Sequence, residues 1–182
     1  MTFNFDEARA VLLKGVLEAL KDREAAIRAI ERTAGGELPV TSVSLDLSPW
    51  HEGGVGISLR VSSDPPDDYS RYSSVEWDHF DFASANNCPA LATVAEYVRR
   101  LYQAAEDGPD CAHLIFLAGA EALLDHGVAR FFRSLGVDAP TVGDRFVGHW
   151  FDYVVTDPDG SVVNNYCDIV LANRVTRRLL GP

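Results

Sequence analysis

The chain has 182 residues, 47% of them apolar and 24% charged, a size and balance that suit one domain with a real core and exclude disordered, collagen-like or membrane-embedded classes. Its net charge of −11 opposes generic binding to nucleic acid or anionic membrane, so neither is expected as a partner. The apolar stretch Leu114 to Leu124 is broken by Gly119 and Glu121, the N-terminus lacks a secretion pattern, and Cys88, Cys111 and Cys167 lack metal-ligand spacing, which together predict a cytoplasmic protein with free thiols.

The first element is an amphipathic helix, because Phe5, Ala8, Leu12, Val16, Ala19, Ile27 and Ile30 recur at helical spacing. Asn4 is placed to cap it, with Glu7 at the third helical position, and Gly35-Gly36 offers a stop. The period then changes to two. Val43, Leu45 and Leu47 alternate with Ser44 and Asp46, and Val55, Ile57, Leu59 and Val61 alternate with Gly56, Ser58 and Arg60, which predicts a half-buried hairpin. Its connection, residues 48–54, carries Trp50 and reads as a contact loop. Residues 62–74, with Pro65-Pro66-Asp67-Asp68, cannot continue the ladder and lead as a surface loop to a short strand near Val75 to Phe82.

Pro89 opens a second helix with an apolar stripe of Leu91, Val94, Val98, Leu101 and Ala105, and Gly108-Pro109 is read as its end. From Cys111 to Leu135 the chain predicts one or two buried helices with a break at Gly127, although its first residues also fit a strand. Phe146 to Val155 and Ser161 to Cys167 flank Asp157-Pro158-Asp159-Gly160 as a second hairpin, and a closing helix starts near Asp168. The order predicts a single α+β domain over residues 1–182, with a mainly antiparallel sheet built from two hairpins and a short strand and helices largely on one face.

The most distinctive segment is Arg71-Tyr72-Ser73-Ser74-Val75-Glu76-Trp77-Asp78-His79-Phe80-Asp81, where aromatic and ionisable side chains interleave. Arg71 and Glu76 can pair while Trp77 anchors in the core; alternatively Trp77, His79 and the surrounding acids form a recognition surface, since aromatic anchors rimmed by charge characterise interfaces. Between residues 64 and 81, Asp64, Asp67, Asp68, Glu76, Asp78 and Asp81 face a single base, Arg71, a concentration that would steer a basic partner.

Residues 71–77 resemble the Arg-aromatic-Ser-x-x-Glu-Trp signature of a bacterial family classed as a domain of unknown function. Arg71, Tyr72, Ser73, Glu76 and Trp77 match, while Ser74 stands where the signature has proline. The resemblance implies the company of small acidic proteins found around bacterial toxin systems, some of them immunity proteins, and it implies no catalytic residue.

Other chemistry is less well supported by spacing. His79 and Asp81 with His149 and Asp152 offer ligand types for a small metal-dependent hydrolase. Cys88 before Pro89 sits where a helix dipole would favour a thiolate, with His79, His113 or His149 as conceivable bases. Arg174, Arg177 and Arg178 read as a solvent-facing basic stripe on the last helix. The expectation is therefore a non-enzymatic protein-binding module of the immunity or antitoxin type, without cofactor, that captures a basic protein such as a toxin. It would use Trp50, Asp64, Asp67, Asp68, Arg71, Glu76, Trp77, Asp78, His79 and Asp81. The hydrolase and a purely structural or oligomerising domain are the alternatives.

Overall fold

A computed structural model describes residues 3–64, 72–141, 151–158 and 165–180, with side chains of the last helix through Arg174. In chain order the elements are helix α1 (Phe5–Asp22), the short helix α2 (Glu24–Arg28), strands β1 (Val40–Ser48) and β2 (Gly54–Val61), a 3-10 turn (Ser74–Glu76) and strand β3 (His79–Ser84). Helices α3 (Pro89–Gln103), α4 (Gly108–Leu123) and α5 (His126–Ser134), strand β4 (Asp152–Val154) and helix α6 (Tyr166–Leu180) follow.

The sheet is four-stranded and mixed, in the order β3-β2-β1-β4. The first hairpin forms as the alternation predicts, with Val43 opposite Leu59 and Leu45 opposite Ile57, so the apolar residues of both strands share one face. The second hairpin is a misreading of the sequence: β4 pairs with β1 in parallel, Ser42 opposite Asp152 and Ser44 opposite Val154, and the sheet is not mainly antiparallel. Nor does the described part of the expected return strand extend. The buried Asn165 side chain accepts from the backbone N–H of Val155 (3.0 Å) and Cys167 (3.1 Å) and donates to the Tyr153 carbonyl (2.8 Å), so one amide satisfies the groups a return strand would have taken. Tyr166 then begins α6, two residues ahead of the expected start. Residues 146–150 and 161–164 of that expectation lie outside the described residues.

Helix α4 is apolar over most of its surface, which calls for burial on several sides and leaves only one edge, with His113 and Leu114, exposed among its central turns. It meets β1 and β4 on one side and α1, α3 and α6 on the others, and no single helix is long and apolar enough to cross a membrane among the described residues. Several local signals act where expected: the Asn4 side chain accepts from the Glu7 N–H at 3.2 Å, and Pro89 opens α3. Others act differently. Gly108-Pro109 starts α4, capped by Asp107 accepting from Asp110 N–H at 3.1 Å, so this dipeptide is a helix opening and not a stop. The break between α4 and α5 falls at Leu124-Asp125, where Asp125 caps α5, and the start of α4 is helical rather than extended. Arg174 pairs with Glu121 of α4 instead of facing solvent in a stripe, while the side chains of Arg177 and Arg178 lie outside the described ones.

α1 seats on α3 through Gly15, where an added Cβ would come within 2.2 Å of a Val94 methyl. A β-branched side chain held in a core has little room to yield. Gly15→Ala is therefore expected to destabilise by about 1–3 kcal/mol, read as a lower urea midpoint at unchanged slope.

Candidate functional site

The apolar face of the hairpin lies against the helices, and the alternating residues Ser42, Ser44, Asp46, Ser58 and Arg60 occupy the other face. That face is not simply solvated: Ser42, Ser44 and Ser58 are buried, and the segment from Ser73 to Trp77 lies over it. The pin is Asp46. Its Oδ1 accepts from the hydroxyls of Ser44 (2.7 Å) and Ser74 (2.6 Å), and its Oδ2 accepts from Ser58 (2.5 Å). Ser58 Oγ in turn accepts the Asp81 N–H at 3.0 Å, which links β1, β2, the 3-10 turn and β3 through one carboxylate. Burial raises the Asp46 pKa above its ordinary 3.8; the bonds from Ser58, Ser74 and Ser44 oppose that shift, and the neighbouring charge of Asp81 adds to it.

Asp81 sits at an irregularity of the β2–β3 ladder, between the pairs Ile57–Ala83 and Leu59–His79, with φ of 52°. A bulge re-aims a side chain, and aspartate tolerates the left-handed region better than most residues. Gly56 makes the room: a Cβ there would lie 3.0 Å from Asp81 Oδ1.

Two grooves meet here. One, of about 390 Å³, runs along Asp46, Glu52, Gly56, Phe80, Asp81 and Ser84; the other, of about 240 Å³, runs along Asp46, Ser74, Val75, Phe80 and Asp157. Phe80 borders both and is 47% exposed, and Val75 is 66% exposed. Among the described residues no Lys or Arg lines either groove.

The residues expected from sequence divide accordingly. Glu76, Asp78 and Asp81 are exposed on one continuous segment with Val75 and Phe80. Asp64 is 6% exposed and is spent on structure: its carboxylate accepts from Val61 N–H (2.8 Å) and Asp78 N–H (3.1 Å), tying the end of β2 to the residue before β3. Trp77 is 3% exposed, which removes it from any contact surface and supports its reading as an anchor. Trp50 does not form a free contact loop either; its ring packs edge-on against Phe116 at 5.8 Å and Tyr102 at 6.4 Å. His79 is half-buried and edge-on to Phe82. Asp67, Asp68, Arg71 and His149 lie outside the described residues.

The metal alternative loses its geometry. His79 and Asp81 are on β3 and Asp152 is on β4, at opposite edges of the sheet and about 14 Å apart across three strand spacings. Among the described residues no three His, Cys, Asp or Glu side chains are grouped to hold a metal ion. The thiol reading fares similarly: Cys88, Cys111 and Cys167 are all buried, burial pushes the Cys111 thiol up and the Cys167 thiol well up, and His113 Nδ1 is engaged with the Tyr166 hydroxyl.

Sequence reasoning missed Asp46, Ser84 and the grooves. The available signals were Ser44-x-Asp46 on one strand face and Gly56 directly opposite Asp46, a glycine inside a strand marking close approach by another group. Comparison with known proteins finds no matching family model, no matching curated protein and no matching solved structure, so the chemistry of the site rests on its own geometry.

Proposed function

We propose that this chain is a non-enzymatic protein-binding module of the immunity or antitoxin type, which captures a basic partner on the face formed by the Ser74–Asp81 segment and its two grooves. The observation that carries the reading is the exposure of Val75 and Phe80 among Glu76, Asp78 and Asp81. Apolar anchors supply contact area while the surrounding acids steer a partner of opposite sign. The resemblance of residues 71–77 to a family that looks like the small acidic proteins found around bacterial toxin systems agrees with a partner of that kind.

The test uses a Lys/Arg-rich peptide and stopped-flow association at low salt. Glu76→Lys combined with Asp78→Lys is expected to slow association by about tenfold, with the difference closing near 0.5 M salt as charges become screened. The pair Glu18→Lys and Glu106→Lys changes net charge equally at exposed positions on α1 and between α3 and α4, on the helical side of the sheet, and is expected to act much less. Equal slowing by both pairs would reduce the interaction to overall charge and remove the reading. Circular dichroism verifies the fold in each variant.

A further inference from the structure

A row of three residues crosses the outer face of the sheet: Asp46 on β1 is opposite Gly56 on β2, and Gly56 is opposite Ser84 on β3. Because paired residues point to the same face, Asp46 and Ser84 look into the same groove from either side of the gap that Gly56 leaves. Asp81 leans over that gap from the bulge.

Ser84 is 5% exposed, and its hydroxyl has no hydrogen-bond partner among the described residues. A buried hydroxyl left unpaired is costly, and such groups in folded proteins call for a specific explanation. Two carboxylates, Asp46 and Asp81, line the same groove. Asp46 Oδ1 is filled by two serines, whereas Oδ2 receives one and retains an acceptor position. Val55, Ala85 and Ala95 provide an apolar wall, and Phe80 borders the opening.

We propose that this groove is a subsite for a guanidinium group, the arginine side chain of the basic partner. The assignment rests on the binding reading above and deepens it. A guanidinium carries five N–H donors in a flat fork and no acceptor. That matches acceptors spread along a groove: Asp81, Asp46 Oδ2 and the hydroxyl oxygen of Ser84. An ammonium is a compact point donor and reaches fewer of them. A metal ion would require ligands grouped around one point, which the described residues do not supply. The methylene stem fits the apolar wall, and the exposed ring of Phe80 offers the cation an aromatic neighbour.

The experiment is an NMR titration of the full chain with N-acetylarginine amide and, separately, N-acetyllysine amide. The arginine compound is expected to shift the amides of Gly56, Asp81, Ser84 and Ala85 and to bind at least about fivefold more tightly than the lysine compound. Asp81→Asn, which keeps tolerance of the left-handed backbone, is expected to weaken it by about tenfold, and Ser84→Ala by about threefold. Ser84→Ala loses no native hydrogen bond, so its melting temperature should stay level or rise; a structural role for the hydroxyl would instead lower it. Equal affinity for both compounds, shifts confined to other residues, or unaltered binding by Ser84→Ala would overturn the subsite. If the groove is silent while the Lys/Arg-rich peptide still responds to Glu76→Lys with Asp78→Lys, the subsite falls and the binding reading stands. If the arginine compound fills the groove while the peptide ignores those reversals, the guanidinium site stands for a small free ligand and the protein-binding reading falls.

Discussion

Gly53→Ala is expected to lower the melting temperature by about 10 °C, the loss of about 3 kcal/mol in a chain of this size. Two independent penalties combine at this position. The hairpin connection ends in a turn closed by Gly54 N–H donating to the His51 carbonyl at 3.0 Å, and the central residues of that turn, Glu52 and Gly53, both have positive φ, 55° and 75°. That is the pattern of a type I′ turn, the second of two consecutive turns in the connection. Alanine at Gly53 would carry the left-handed strain. It would also collide with α3, since the added Cβ would stand 2.3 Å from the Ala95 carbonyl oxygen and 2.7 Å from the Arg99 nitrogen. Helix backbone cannot rotate away as a side chain can.

Two other glycines separate the penalties. Gly36 has φ of 81° with nothing near its missing Cβ, so Gly36→Ala should cost only the strain, about 1 kcal/mol. Gly35 has ordinary φ and an open surrounding, and Gly35→Ala should be neutral or slightly stabilising. Thermal melts of the three variants decide the matter: a Gly53→Ala loss no larger than that of Gly36→Ala would mean that the hairpin tip is not seated against α3. The point bears on function, because Glu52 and Ala95 both line the larger groove and that seat holds them together.

What could be read from the sequence was the part governed by near neighbours. Alternation placed Val43, Leu45 and Leu47 with Ile57 and Leu59 on one face because strand side chains repeat every two residues, and a short connection leaves the two runs little choice but to pair. The helix openings at Asn4 and Pro89 are likewise local. β4 was not legible in its pairing, since a parallel partner more than a hundred residues earlier leaves no mark on Asp152–Val154, and Asp157-Pro158-Asp159-Gly160 supplied a convincing local turn instead. The candidate site failed in a similar way. Asp64, Glu76 and Asp78 count equally as acids in a sequence, yet backbone N–H groups claim Asp64 while Glu76 and Asp78 stay exposed. Asp46 looked like one more polar residue on a solvated face until the Ser73–Trp77 segment covered it.

Asp46→Ala is expected to destabilise the protein by about 3 kcal/mol at neutral pH, whereas Asp46→Asn should match the wild type or exceed it. The alanine variant leaves the hydroxyls of Ser58 and Ser74 without their acceptor, Ser58 being completely buried, while Ser44 falls back on the Val154 carbonyl at 3.2 Å. Asparagine keeps one acceptor oxygen and adds an amide that can donate to a serine, so the network survives without a charge. The charge itself is a burden here. Burial lifts the Asp46 pKa in the folded protein above its value of 3.8 in an open chain, against the serine bonds and with a smaller push from Asp81. The folded state thus holds more protons than the unfolded state above pH 3.8. Stability contributed by this group is present at lower pH and is lost as pH rises through the raised folded value. The general repulsion within a chain of net charge −11 changes with pH too, but nearly equally in both proteins, so the difference between wild type and Asp46→Asn isolates the carboxyl group. Urea unfolding from pH 4 to pH 8 should show Asp46→Asn gaining on the wild type as pH rises and then holding its lead. A wild type that instead gains on Asp46→Asn with rising pH would mean that the three serine bonds outweigh burial, and that Asp46 is a stabilised anion rather than a carboxylate awaiting a cation.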